Sequence, residues 1–175
     1  MIRSTPTLNT LRVTLRAMRP EDFDRYAGIC AMGDALRPLD SGPWPRRRAW
    51  EAFLRNAGHW QMTGFGQWAV IEQRSRTIVG QVGFFFDSEV VDEEFDTYPQ
   101  VGWVMLPECG ESGLALEAAR AAHDWFDRVV TGSLVARVSH ANETAVELAD
   151  ALGYRQRREA GGTLLMRRDG PPGRG

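Results

Sequence analysis

A chain of 175 residues with a formal net charge of −2 and 43% hydrophobic content can bury one core, and it lacks the basic footprint of a nucleic-acid or anionic-membrane binder. Its 21 basic residues are all Arg, for which a GC-rich genome suffices, and its two cysteines, Cys30 and Cys109, form no CxxC and join no His/Cys cluster at metal spacing, against a disulfide scaffold or a metal site. No stretch approaches the ~18 apolar residues of a membrane span, so a cytoplasmic location is the default expectation.

In chain order, Leu11, Val13 and Leu15 alternate onto one face of a short strand. Pro20 opens a helix with Glu21 and Asp22 in its first turn, where acids suit the dipole. Phe23, Tyr26, Ala27 and Cys30 form its buried stripe, and a Pro/Gly loop leads to a second helix with Trp50, Phe53, Leu54 and Ala57 inward. Residues 67–72 and 78–86 read as an antiparallel pair joined at 74–76, followed by an acidic connection over 87–96. Residues 101–106 carry almost no polar side chain, as a central strand does. Leu114, Ala118, Ala121, Ala122, Trp125 and Val129 have helical spacing within 113–130, with Arg120, Asp124 and Arg128 along the outer face. A strand over 134–138, a helix over 142–152 ended by Gly153 and a closing hairpin over 154–158 and 163–166 complete the pattern. Strand, glycine-containing loop, helix and strand from 101 to 138 make a βαβ unit, which binds anions at its helix N-terminus.

The loop Pro107-Glu108-Cys109-Gly110-Glu111-Ser112-Gly113-Leu114-Ala115 has glycines that let backbone approach a phosphate. With Gly102-Trp103-Val104-Met105-Leu106 before it and Leu116-Glu117-Ala118-Ala119 after it, this segment resembles the cofactor-binding segment of the GNAT superfamily of N-acetyltransferases. The branch it is most similar to contains the ribosomal-protein N-terminal acetyltransferases. Leu11 to Arg16 with Pro20-Glu21-Asp22, Gly64 to Val70, and Asn142 through Leu152-Gly153-Tyr154 fit the same branch in order and spacing.

The resemblance implies an α/β fold (α+β in some schemes), with a mixed, mostly antiparallel sheet of six to seven strands flanked by about four helices. Residues 1–168 would form one domain and 169–175 a flexible tail. It implies acetyl-CoA as co-substrate, with the backbone of Trp103, Val104, Met105 and Leu106 along the pantetheine arm and the Met105 N–H at the thioester oxygen. Gly110, Glu111, Ser112, Gly113, Leu114 and Ala115 would hold the pyrophosphate, and Asn142 would touch the arm or serve as an N-cap. The acceptor would be a primary amine, on a protein N-terminus or a small molecule, attacking the thioester directly. Relatives are often monomers or two-fold dimers, which leaves a monomer or a homodimer open.

Several positions depart from the family pattern. The leading Gln/Arg of the phosphate loop is Gly110, a frequent Gly is Glu111, and the acid that often precedes the Val-Gly-Trp strand is Gln100, which takes no proton at neutral pH. The thiol-protonating Tyr of many members would fall at Ala149. Glu94 in the acidic connection is the candidate replacement base, while that connection as a whole reads as a solvated loop or an attractor of cationic amines. His140 reads as a loop histidine with the thioester end in reach, and Trp103 as core or substrate wall. Arg46-Arg47-Arg48 is a solvated face or an anion contact, and Trp44, Trp50 and Trp60 are core or acceptor cleft. The alternative function is a catalytically silent domain of this fold with weakened or lost CoA binding, acting in regulation or interaction.

Overall fold

The computed structural model describes residues 4–39, 42–87 and 92–172. Eight strands form one sheet in the order β1-β2-β3-β4-β5-β6-β8-β7. They are β1 (Leu8–Asn9), β2 (Val13–Arg16), β3 (Gln67–Glu72), β4 (Thr77–Phe85), β5 (Gln100–Met105), β6 (Leu134–Ser139), β7 (Arg155–Ala160) and β8 (Thr163–Arg168). The helices are α1 (Phe23–Ala31), α2 (Arg46–Thr63), a single turn α3 (Glu108–Glu111), α4 (Leu114–Val129) and α5 (Glu143–Ala151). The mixed sheet and its mostly antiparallel pairing are as expected, with one short strand, β1, and one short helix, α3, more than the sequence suggested.

All neighbouring strands run antiparallel except β5 and β6, the pair linked through α4. That parallel pairing consists of one register position, Gln100 opposite Val135, with the Val135 N–H donating to the Pro99 carbonyl at 3.0 Å. Beyond it the strands diverge. The sheet is therefore split by a V that is closed at Gln100 and open towards Met105 and Ser139.

Period-2 alternation along β3, β4 and β5 sends two sets of side chains to opposite faces. Trp68, Val70, Val82, Phe84, Val101 and Met105 join a core with Ala118, Ala122, Trp125 and Phe126 of α4. Ala69 and Val104 instead pack with Phe23, Tyr26, Ala27 and Cys30 of α1 and Phe53 of α2. The stripe expected for α1 is all buried.

Two expectations shift. Leu11 lies outside β2 and is 87% exposed, whereas Val13 and Leu15 are fully buried. The inward face of α2 is Ala49, Phe53, Asn56 and Trp60, with Trp50 and Leu54 about half exposed. The reason is polar: Asn56 accepts the Gln67 N–H (2.8 Å) and donates to the Gln67 carbonyl (2.9 Å), which the Trp60 indole N–H also reaches (3.0 Å). These bonds satisfy the end of β3 and turn α2 so that a carboxamide, not Leu54, faces in.

Candidate active site

Two cavities flank the open end of the V. The larger, about 430 Å³, lies over the β3–β4–β5 face beneath α1 and α2, and the smaller, about 240 Å³, lies between the start of α4 and α5. Trp103 and Arg37 line both and form their common wall. Trp103, 5% exposed, is thus part of the core and of both cavities.

The partition is completed by residues 36–38, which cross the mouth of the V. The Leu36 N–H donates to the Met105 carbonyl (2.8 Å) and the Met105 N–H to the Leu36 carbonyl (3.1 Å), an isolated antiparallel bridge. On the other side the Ser139 N–H donates to the Pro38 carbonyl (2.8 Å), and the Asn142 side-chain amide donates to the Arg37 carbonyl (2.9 Å). Arg37, 6% exposed, is anchored through its guanidinium to the Cys30 carbonyl and lies 5.8 Å from the Trp44 ring. One strap therefore ties β5 to β6 where they are furthest apart.

Sequence reasoning missed the strap, and it changes the meaning of two residues. The Met105 N–H, expected to face a thioester oxygen, is engaged by Leu36. Asn142 is an N-cap, its Oδ1 accepting the Ala145 N–H at 3.1 Å, and at the same time holds the strap. The signal lay in Gly110. A Cβ there would stand 3.3 Å from a Leu36 methyl, so the Gln or Arg common at this place would press on the seated strap by a few tenths of an ångström.

Below the smaller cavity, α3 and the turn at Ser112–Gly113 lead into α4. Gly113 is its N-cap at φ +77°, a left-handed conformation that glycine adopts without a Cβ penalty. No side chain caps this end, and the N–H groups of Leu114, Ala115 and Leu116 stand in the first turn of the helix. Arg12 braces this turn through the Ser112 carbonyl (2.8 Å) and Glu117 (2.7 Å). Burial raises the Glu117 pKa, but hydrogen bonds from Thr10 and Arg12 outweigh it and hold the carboxyl below its ordinary value. Glu111 is exposed and is absent from the described lining of either cavity, so its charge is spent in water. Val104 lines the larger cavity and Ala115 and Gly110 the smaller, while Leu106 packs at the edge of both cores.

In the larger cavity, Gln67, Gln81 and Gln100 come from three adjacent strands onto one face. Arg48, Arg55 and Arg137 stand around them, with Glu51 and Asp87 as the carboxylates among the described lining residues. Asp87 is 3.9 Å from Arg137, and Glu51 is 3.1 Å from Arg47. His59 lines the cavity with both ring nitrogens committed: Nε2 accepts the Phe86 N–H (2.9 Å), so Nδ1 carries the proton and donates to the Phe65 carbonyl (2.8 Å).

Glu94, the expected base, is elsewhere. Its side chain is 80% exposed and pairs with Arg167 of β8 at 3.3 Å, outside the described lining of the cavity. The acidic connection folds back onto the β6–β8 side, with Phe95 packed on Val135 and Leu165 and Asp92 3.0 Å from Arg158. Glu89 of that connection lies outside the described residues. His140 pairs with Glu159 at 2.9 Å, which raises its pKa. Of the tryptophans, Trp44 lines the cavity, Trp60 packs on Trp68 and Trp125, and Trp50 stacks on Phe53.

Neither cysteine is placed as a ready nucleophile. Cys30 and Cys109 are both buried, and burial pushes the Cys109 thiol up to about 11 and raises that of Cys30. Among the described residues no group of three or more His, Cys, Asp or Glu could hold a metal ion, and no helix is long and apolar enough to cross a membrane.

A mixed sheet split at its parallel pair, with a glycine-capped helix beneath the split, defines the GNAT acetyltransferase fold. The family model of the acetyltransferase (GNAT) domain matches residues 12–155, and the chain belongs to that family. Its fold is similar to that of a Bordetella pertussis protein described as a GnaT-family acetyltransferase (24% identity, 94% of this chain and 99% of that one, TM-score 0.82). It is also similar to an acetyltransferase from Agrobacterium tumefaciens (25%, 94% and 94%, 0.77). A ribosomal-protein-S5-alanine acetyltransferase from Vibrio fischeri shares the fold at 15% identity (94% and 97%, 0.70).

Proposed function

We propose that the chain transfers an acetyl group from acetyl-CoA to a primary amine. The observation that carries this reading is the V between β5 and β6, with an apolar groove and a glycine-capped helix end on one side and a polar cavity on the other. The groove has the walls for a pantetheine arm in Ala115, Leu116, Ala145 and Leu148, and the α4 end has the donors for a diphosphate. The fit is conditional on the strap: the polar groups of β5 and Asn142 become available only when residues 36–38 leave. Acetyl-CoA would supply the activated thioester.

The chain's own part is positioning and proton removal. The amine must reach the Trp103 wall in its neutral form. Asp87 replaces Glu94 as candidate acceptor of its proton, since Glu51 is largely exposed and held by Arg47. Gln67, Gln81 and Gln100 can bind and orient the acceptor but take no proton.

The filled mouth of the V specifically favours a second reading, in which the strap is permanent and the domain is catalytically silent. Incubation with acetyl-CoA and a panel of primary amines, followed by mass spectrometry and thiol release, separates the two. The enzyme reading expects amine-dependent thiol release and a product heavier by one acetyl group. Absence of both, with the protein folded, leaves the silent domain.

A further inference from the structure

The larger cavity has an electrostatic bias that acetyl transfer alone does not require. Its described lining holds four arginines, Arg37, Arg48, Arg55 and Arg137, against two carboxylates, Glu51 and Asp87. Glu51 is turned towards Arg47 and water, 63% exposed. Arg48 is held at the wall by its guanidinium lying 4.3 Å from the Trp44 ring, which fixes a cation in place without neutralising it.

The floor adds a second, independent observation. Gln81 is 3% exposed, and its Nε2 has no hydrogen-bond partner, a donor buried at the cavity without an acceptor. A donor left unpaired at a cavity floor is costly, and an oxygen-bearing ligand that reaches it would relieve that cost. Arginine forks and a carboxamide N–H₂ are all donors, and they suit an oxyanion. A polyamine would meet like charge on the walls, and an uncharged amine would leave the donors idle. At about 430 Å³ the space suits a small molecule.

We infer that the acceptor is a small zwitterion, an amine that also carries a carboxylate or phosphate group, with its anionic end bound by Arg48, Arg55 and Gln81 and its amine towards Trp103. This rests on the acetyltransferase reading for the identity of the acceptor site, but the binding itself needs no acetyl-CoA. The anion selects, and the amine reacts. Arg48 and Arg55 are specificity residues in this arrangement.

Calorimetry on the protein alone, with L-serine amide, L-serine, O-phospho-L-serine and spermidine as probes, tests it. Serine or phosphoserine should bind at least tenfold more tightly than serine amide, with spermidine weakest and affinity falling as salt is added. A preference for serine over its amide, without a further gain for phosphoserine, assigns the anion as a carboxylate; a further gain assigns a phosphate. Arg48→Gln and Arg55→Gln should each weaken that binding at least fivefold, while Arg120→Gln on the exposed face of α4 should not. Because Arg48→Gln also loses its ring contact, Gln81→Leu serves as a second probe and should weaken binding without altering salt dependence. Serine amide or spermidine binding as well as the anionic probes, or no heat from any probe, overturns the inference. Anion-selective binding without acetylation removes the enzyme reading and leaves only the anion site standing, whereas acetylation of spermidine in preference to phosphoserine keeps the enzyme reading and overturns the zwitterion.

Discussion

Asn56 shows how one buried carboxamide sets the geometry around it. Its two bonds to the Gln67 backbone sit at the edge of the larger cavity and orient the whole inner face of α2. Asn56→Ala leaves a buried N–H unpaired, and urea unfolding should show a loss of about 2 kcal/mol. A loss below about 0.5 kcal/mol would mean that water replaces the side chain. This residue is also why the α2 stripe was misread. Hydrophobic periodicity places Leu54 inside, and nothing local announces that a polar side chain has backbone partners eleven residues on. At Asp87 the difficulty was of another kind. Six acids crowd 87–96, and only the fold separates Asp87 at the cavity from Glu94 on the β8 side. If Asp87 accepts the proton, Asp87→Asn should lower kcat by about 10²-fold with KM little changed. An unchanged kcat would assign proton removal to solvent.

At the scale of elements, the strap and the turn that leads into α4 form one unit. A Leu36 methyl lies 3.3 Å from where a Cβ at residue 110 would stand, so the departure at Gly110 and the bridge to Met105 are in packing contact. Gly110→Gln should crowd Leu36, loosen the strap and add a donor beside the α4 end. CoA affinity should then rise about tenfold by calorimetry, whereas Glu111→Gly should change it less than threefold because that carboxylate faces water. The reverse ranking would place Glu111 at the diphosphate. The βαβ unit was legible because it is local: an apolar strand, glycines and a helical period within forty residues. The strap was not, since a Pro/Gly loop has no periodicity and its partners lie some seventy and a hundred residues away.

Across the molecule, the α4 layer is locked to the far end of the sheet by a buried pair. His123 Nε2 lies 2.8 Å from the Tyr154 hydroxyl, Nδ1 lies 2.6 Å from the Ala119 carbonyl, and both residues are almost fully buried. Burial lowers the His123 pKa to about 4 from 6.5, so the folded imidazole is neutral, with Nδ1 donating and Nε2 accepting. Between these values the unfolded chain binds the extra proton and the folded one does not. This contribution is complete above about pH 6.5 and is lost as pH falls towards 4, by up to about 3 kcal/mol. Denaturant titrations at pH 7 and 4.5 should show that loss, and the double variant His123→Leu/Tyr154→Phe should remove this component of it. The overall architecture was readable from the order of elements, because each strand and helix carries its own period. What escaped was how the two halves of the sheet are held where they part.

Acetyl-CoA titrated into wild-type protein and into Leu36→Gly, followed by calorimetry, bears most directly on that parting. Wild type should bind in the micromolar to sub-millimolar range. The variant, with about 1–2 kcal/mol of strap packing removed, should bind about tenfold more tightly. No heat from either protein at millimolar ligand would show that the cleft between β5 and β6 is sealed by the chain itself and does not receive the cofactor.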